Sequence, residues 1–376
     1  MIGKHHFLRI SVYTLATVGC LIPLPTQSQP NALVGDIETT KKQSPDERLK
    51  QELQLAGNYM TGHGVPRDIT QSAYWYRKAA DRGYPEAQVQ LGYFYLTGMG
   101  VERNEAEAAK WFARAAASGS LSGKLNLAAL YIRGLSIGHD PHLGFVMLQE
   151  LADKQYPRAE DYLGIAYLLG IGVAKDSAQA EKWFERSASH HNPEGEYAMG
   201  SLYSTVNGHK QDFVKAAEYL RRSADSGYVA SMHSLGLILV NHPEINQQPG
   251  EARRWLETAA EGGAYRSSMV LGILARDGRG VPKDEAVAYK WFTICAKQGG
   301  ETAAKLLRAD MDLAHNILTT EQQQDAERAA KEWLAAHPHE DIFLHADGTN
   351  FAYFPMGEVY ATGQGTPEAG KGEQSN

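Results

Sequence analysis

Apolar and polar positions along this chain recur with a period of 36 residues. In the unit around Leu91, the residues Ala87, Leu91, Phe94, Tyr95 and Gly98 fall at i, i+4, i+7, i+8 and i+11. That is one face of a 3.6-residue period and predicts a first helix, A, with a buried stripe. A second run carries Trp111 followed by the small pair Ala115 and Ala116, predicting a second helix, B. The leading leucine returns as Leu55, Leu127, Leu163, Met199, Leu235 and Leu271. The large side chain of helix B returns as Trp75, Met147, Trp183, Tyr219, Trp255 and Trp291. A fixed period of this size is the signature of a stacked array, in which length counts units and not separate domains.

Start and stop signals sit at fixed places in the period. Asp68, Asn104, Asp140, Asp176, Asp212, Gln248 and Asp284 stand where helix B begins, and a side-chain oxygen there can accept from free amides of the first turn. Pro141 and Pro249 follow two of them, at the first helical position, where a missing N–H is harmless. The pairs Gly62/Gly64, Gly98/Gly100, Gly170/Gly172 and Gly278/Gly280 follow a helix and lack the Lys and Ser/Thr of a P-loop, so they read as a helix stop and tight connection. Gly83, Gly119, Gly227, Gly263 and Gly299 close helix B, with His190-His191 where glycine is usual. A small residue follows each leading leucine: Ala56, Gly92, Ala128, Gly164, Gly200, Gly236 and Gly272. Glycine inside a helix costs roughly 1 kcal/mol against alanine, so its recurrence points to a neighbour passing too close for a side chain.

Outside the array the pattern changes. Residues 1–28 read as an export signal: Lys4 and Arg9 precede an apolar run from Ile10 to Leu24, and Thr26-Gln27-Ser28 offers small residues for cleavage. The run is too short and too interrupted by proline for a retained membrane span. Val18-Gly19-Cys20 gives a second expectation, a lipid on Cys20, and membrane contact is expected only in that case. Residues 29–48 read as a linker, 306–338 as capping helices with a capping box at Thr320 and Gln323, and 339–376 as a tail. In that tail Asp347-Gly348 is placed as a hairpin turn, and order is expected to end near residue 361.

Composition narrows the chemistry. The net charge is -7, from 37 basic and 44 acidic residues interspersed along the repeats, and no basic face points to nucleic acid. Two cysteines, Cys20 and Cys295, exclude a disulfide framework. The 14 histidines form no His-Glu-x-x-His and pair with no cysteines at zinc spacing. Thr302-Ala-Ala-Lys305 only mimics a Ser-x-x-Lys spacing, and no Gly-x-Ser-x-Gly elbow is present. No metal, cofactor or catalytic residue is expected.

The pattern A-x-x-x-LG-x-x-Y-x-x-G-x-GV-x-x-D, then A-x-x-WF-x-x-AA-x-x-G, resembles the Sel-like repeat (SLR) family, relatives of the tetratricopeptide repeat, over residues 49–305. The resemblance implies an all-α, right-handed superhelical α-solenoid of seven 36-residue helix-turn-helix repeats with a C-terminal helical cap. It also implies protein-protein interaction, and together with the export signal this gives the expectation of a non-enzymatic, exported scaffold of the bacterial envelope that binds a protein partner. Two alternatives remain open. One is a cell-wall or β-lactam-related enzyme of the secreted type, whose per-repeat cysteine pair is missing here; the other is a structural part of polysaccharide or peptidoglycan machinery.

In related solenoids helix A lines the concave surface, and at 100 degrees per residue the face opposite its core stripe carries Glu86, Val89, Tyr93 and Leu96. Where these registers vary in chemistry, Glu86, Tyr93, Arg158, Tyr197 and His233 are the residues expected to meet a protein partner.

Overall fold

The computed structural model describes residues 44–133, 140–205 and 211–338. The expected signal, Cys20, the Asp347-Gly348 turn and the stretch beyond 361 lie outside these residues. Among the described residues every regular element is helical. Seven A/B hairpins follow in order: α1 (Pro45–Thr61) with α2 (Ile69–Asp81), α3 (Pro85–Thr97) with α4 (Glu105–Ala117), and α5 (Leu121–Arg133) with α6 (Pro141–Asp153). Then come α7 (Pro157–Leu169) with α8 (Ser177–Ser189), α9 (Pro193–Ser204) with α10 (Phe213–Asp225), and α11 (Val229–Asn241) with α12 (Glu251–Glu261). The seventh pair is α13 (Tyr265–Asp277) with α14 (Glu285–Ile317), and α15 (Thr320–Ala336) completes the cap. Each helix packs on the one before and the one after, and the closest approaches between non-consecutive helices are α3 to α5, α7 to α9 and α11 to α13. Helices A therefore form the inner layer of an α-solenoid.

The caps act as their spacing implies. Asp68, Asn104, Asp140, Asp176, Asp212 and Asp284 each accept a backbone amide from the first turn of helix B. Gly98 ends α3 in the left-handed region (φ 77°), and Gly100 (φ 66°) lays its backbone on the Ile69 carbonyl at the start of the previous helix B. Gly172 does the same on Pro141.

The recurrent small residue of helix A lies under the large side chain of its own helix B. A Cβ on Gly92 would stand 2.5 Å from the Phe112 ring, and Gly164 meets Phe184, Gly200 Leu220, Gly236 Leu256 and Gly272 Phe292 in the same way. The anchor is thus the residue after the periodic tryptophan. Phe112, Leu148, Phe184, Leu220, Leu256 and Phe292 are all 0% exposed, whereas the periodic position ranges from buried Trp75, Trp111 and Trp291 to half-buried Met147, Trp183, Tyr219 and Trp255; in the first repeat the order is reversed, with Tyr76 half-buried. A cation one turn on packs over the tryptophan ring, as Arg114 does over buried Trp111 (4.5 Å) and Arg186 over half-buried Trp183 (5.3 Å). The small pair of helix B is the seat of the next helix A: Gly123 rests on Ala115 and Ala116, and Gly195 on Ser187 and Ala188.

Several boundaries differ from expectation. Helix α1 begins at Pro45, inside the stretch expected as linker, because Ser44 and Glu47 form a capping box. Helix α12 begins at Glu251 behind Gly250 (φ 72°), so Gln248 is not its cap and Pro249 is not helical. A 3-10 turn, Pro243–Ile245, fills the space, and Arg221 bonds Glu251 (2.8 Å) and the Ile245 carbonyl (2.9 Å). Leaving the backbone amide of Gln247 to the Glu251 carboxylate, this loop takes the place of a helical first turn. The break after helix B of the seventh repeat falls at Gly300 (φ 61°, ψ -149°), one residue beyond Gly299, and the final capping box is Thr319 with Gln322.

At the close of helix B, Gly83, Gly119, Gly227 and Gly263 adopt φ of 86–90°, and Gln155 (φ 57°) and His191 (φ 56°) hold the same register with side chains. A Cβ in the left-handed region is strained. Gln155→Gly and His191→Gly are each expected to stabilise the protein by up to about 1 kcal/mol, since relief of strain exceeds the added freedom of the unfolded chain. Urea midpoints of the two variants measure this, and a lower midpoint in both contradicts it.

Candidate interaction surface on the inner helices

The five residues singled out on helix A fall into two groups. Glu86 is exposed in the first turn of α3. Tyr93 is 1% exposed and its Oη donates to Asn126 Oδ1 on α5 at 2.9 Å. Tyr197 is 4% exposed, bonded to Ser201 and to Ser234 of α11, with its ring 5.4 Å from that of Tyr228. His233 is half-buried, and its Nδ1 lies 2.7 Å from Ser267 Oγ on α13. Arg158 keeps 12% of its side chain exposed and faces Glu194 of α9 at 3.7 Å. Apart from Glu86, each joins a helix A to the helix A of the next repeat. The ring faces of Tyr93 and Tyr197 are therefore closed within the solenoid.

Around Arg158 the inner layer holds ionisable groups with little water. Asp161, 2% exposed, accepts from Asn192 Nδ2 through one carboxylate oxygen while Oδ1 has no hydrogen-bond partner. Burial first, and then Glu194, push the Asp161 pKa well above the ordinary carboxylate range. Burial opposes the charge of Arg158, but Glu194 together with Tyr162, Tyr93 and Tyr156 outweighs it, so the guanidinium stays protonated. Burial also raises Tyr162, Tyr197 and Tyr228. His233 is lowered to about 4 by burial and by Arg266, so it is neutral at neutral pH.

A second line of charges ties helix A to helix B within a repeat. Glu160 is 0% exposed and meets Arg186 (2.8 Å) and His190 (3.1 Å), and burial raises its pKa despite both. Glu196 meets Arg222 at 2.6 Å in the next repeat, and Lys124 meets Glu150 in the preceding one. Lys124, Glu160 and Glu196 share one register and Glu150, Arg186 and Arg222 another, so the third repeat carries the pair with its signs exchanged. Arg186 and Arg222 also donate to Ala152 and Ala188 carbonyls at the end of the previous helix B. Sequence reasoning passed over Asp161, Glu160 and Glu194. The available signal was complementary charge at fixed offsets: Arg158 and Glu194 lie one period apart.

The register of Glu86, Arg158, Glu194 and Arg266 alternates in charge along the inner layer, with Glu86 and Arg266 exposed and Arg158 and Glu194 part-buried. Among the described residues no group of three or more His, Cys, Asp or Glu could hold a metal ion, and no helix is long and apolar enough to cross a membrane.

Comparison with known families matches the Sel1 repeat seven times, at residues 52–84, 85–120, 122–156, 157–192, 193–228, 229–263 and 269–300. The chain belongs to the Sel1-repeat family. Among solved structures it is similar to a Sel1 repeat protein from Oxalobacter formigenes, at 27% identity and a TM-score of 0.50, covering 61% of this chain and 97% of that one. It is also similar to a protective antigen of uropathogenic Escherichia coli displaying an SLR fold, at 20% identity and a TM-score of 0.31 over 88% of this chain and 90% of that one. No curated protein matches the chain. Sel1-repeat membership indicates a protein-interaction scaffold, of a family that is generally non-catalytic.

Proposed function

We propose that this Sel1-repeat protein is an exported scaffold that binds a protein partner along the inner face of its helices A. The observation that carries this reading is the charged register Glu86, Arg158, Glu194 and Arg266 on that face, exposed at its two ends and part-buried between them, whose alternating charges fit a segment bearing both signs. Tyr93 and Tyr197 then act as positioning residues that fix the spacing of successive helices A, and His233 stands at the edge of the surface.

Photocrosslinking in intact cells tests the surface. A photoreactive residue at Arg266 or Glu86 is expected to capture one discrete protein that the same group at Glu218, exposed on helix B, does not. Equal capture from all three sites would overturn the reading. Export rests on residues 1–28, and the mass of the mature amino terminus distinguishes cleavage near Ser28 from a lipid on Cys20; an uncleaved terminus rejects both.

A further inference from the structure

The junction between the sixth and seventh repeats holds a pocket of about 590 Å³, open to solvent. Its origin lies in the late start of α12. Elsewhere the second glycine of the connection packs on the first residue of the previous helix B, as Gly100 on Ile69 and Gly172 on Pro141. Gly280 has nothing within 4 Å, because the residue it would meet, Pro249, is outside the helix. The missing first turn leaves an apolar floor of Leu239, Val240, Leu274 and Val281, with Arg253 and Arg279 among the polar residues around it. The volume is that of an ordinary ligand site.

Two observations point to an occupant. Val240 and Val281 share an apolar cluster with Trp333 and Leu334 of α15, and His337 at the end of that helix reaches Glu261 of α12 at 3.7 Å. The chain thus leaves α15 at the far end of the helix whose start borders the pocket, and the length of α12 is only about 16 Å at 1.5 Å per residue. Residues 339–376 follow, with six acidic residues against the single Lys371, and with the apolar runs Ile342-Phe343-Leu344 and Phe351-Ala352-Tyr353-Phe354. The dozen residues between Pro338 and Phe351 span up to about 40 Å when extended, enough to reach.

We propose that this pocket is the docking site of the chain's own carboxy-terminal segment. Aromatic side chains from residues 351–354 fill the apolar floor, and acidic residues of the tail face Arg253 and Arg279. The tail then closes the gap that the shortened α12 leaves in the stack. This inference is independent of the partner surface proposed on helices A.

The test uses the full chain with photoreactive benzoylphenylalanine in place of Phe354, as an equal mixture of light and heavy isotope-labelled protein. The expected result is attachment to residues 239–253 or 274–281 within one chain, falling about threefold in Arg279→Glu, the loss of one exposed charge pair. Arg279 is exposed, so that variant keeps its fold. Light-to-heavy attachment at the pocket would assign it to a second copy and overturn the proposal. So would attachment elsewhere, or a yield no higher than from the same group at Gln374.

Discussion

Phe184→Ala is expected to cost about 3–5 kcal/mol, and Trp183→Ala distinctly less, although the tryptophan is the more conspicuous member of the pair. Phe184 is 0% exposed and its ring packs against Gly164, so its removal empties the contact that holds α7 against α8. Trp183 is half-buried and spends its outer face under Arg186. The defect also falls in the fourth of seven repeats. Each unit of a solenoid is stabilised by its nearest neighbours, so weakening a central one separates the array into two halves. Urea unfolding followed by circular dichroism is expected to give a lower midpoint and a broader or split transition for Phe184→Ala, with a single transition kept in Trp183→Ala. Equal losses in the two variants would contradict the assignment of the anchor.

The same pair of residues shows what the sequence makes legible. The period, the helix caps and the close approach at the small residue are local or repeated signals, and six of the seven proposed caps bond as their spacing implies. Tryptophan draws attention by size, yet its register admits Met147 and Tyr219, while the following register holds only Tyr76, Phe112, Leu148, Phe184, Leu220, Leu256 and Phe292. The narrower choice of side chain, leucine or phenylalanine in six of the seven repeats, marks the core better than bulk does; the first repeat, with Trp75 buried and Tyr76 half-buried, is the exception. The inner face was harder to read because angular placement on a helix assumes one buried side. A helix A is covered by its own helix B, by the preceding helix B and by neighbouring helices A, so α3 buries Val89, Tyr93 and Leu96 as well as Leu91 and Phe94. Its run of Gln, Val, Leu, Tyr and Phe has no strongly polar side, which is the pattern of a helix surrounded by protein. The late start of α12 was hidden by Pro249, which fits a first helical position as well as it fits the loop it occupies.

Arg158→Met is expected to destabilise the protein by about 3–5 kcal/mol at neutral pH, with the loss shrinking toward acid. Arg158 and Glu194 are 12% and 17% exposed, and Asp161 is 2% exposed, so removing the guanidinium leaves two carboxyl groups in a site with little water. Each must then bind a proton or remain a buried charge, and the Asp161 pKa, already raised, rises further without the guanidinium. A carboxyl group whose folded pKa lies above its unfolded one gives stability that is complete below the unfolded value, about 3.9 for Asp, and is lost as pH climbs toward the folded value. Asp161 already behaves this way in the intact protein, so Asp161→Asn is expected to raise stability at neutral pH and to have little effect in acid. The double variant should recover part of the loss, because only Glu194 is then without a partner charge. Urea midpoints of the four proteins, measured across pH 4–8, resolve the couplings as a cycle. A cost of Arg158→Met that stays constant with pH would mean that Arg158 acts through packing of its aliphatic stem, and not by holding the carboxylates that join α7 to α9.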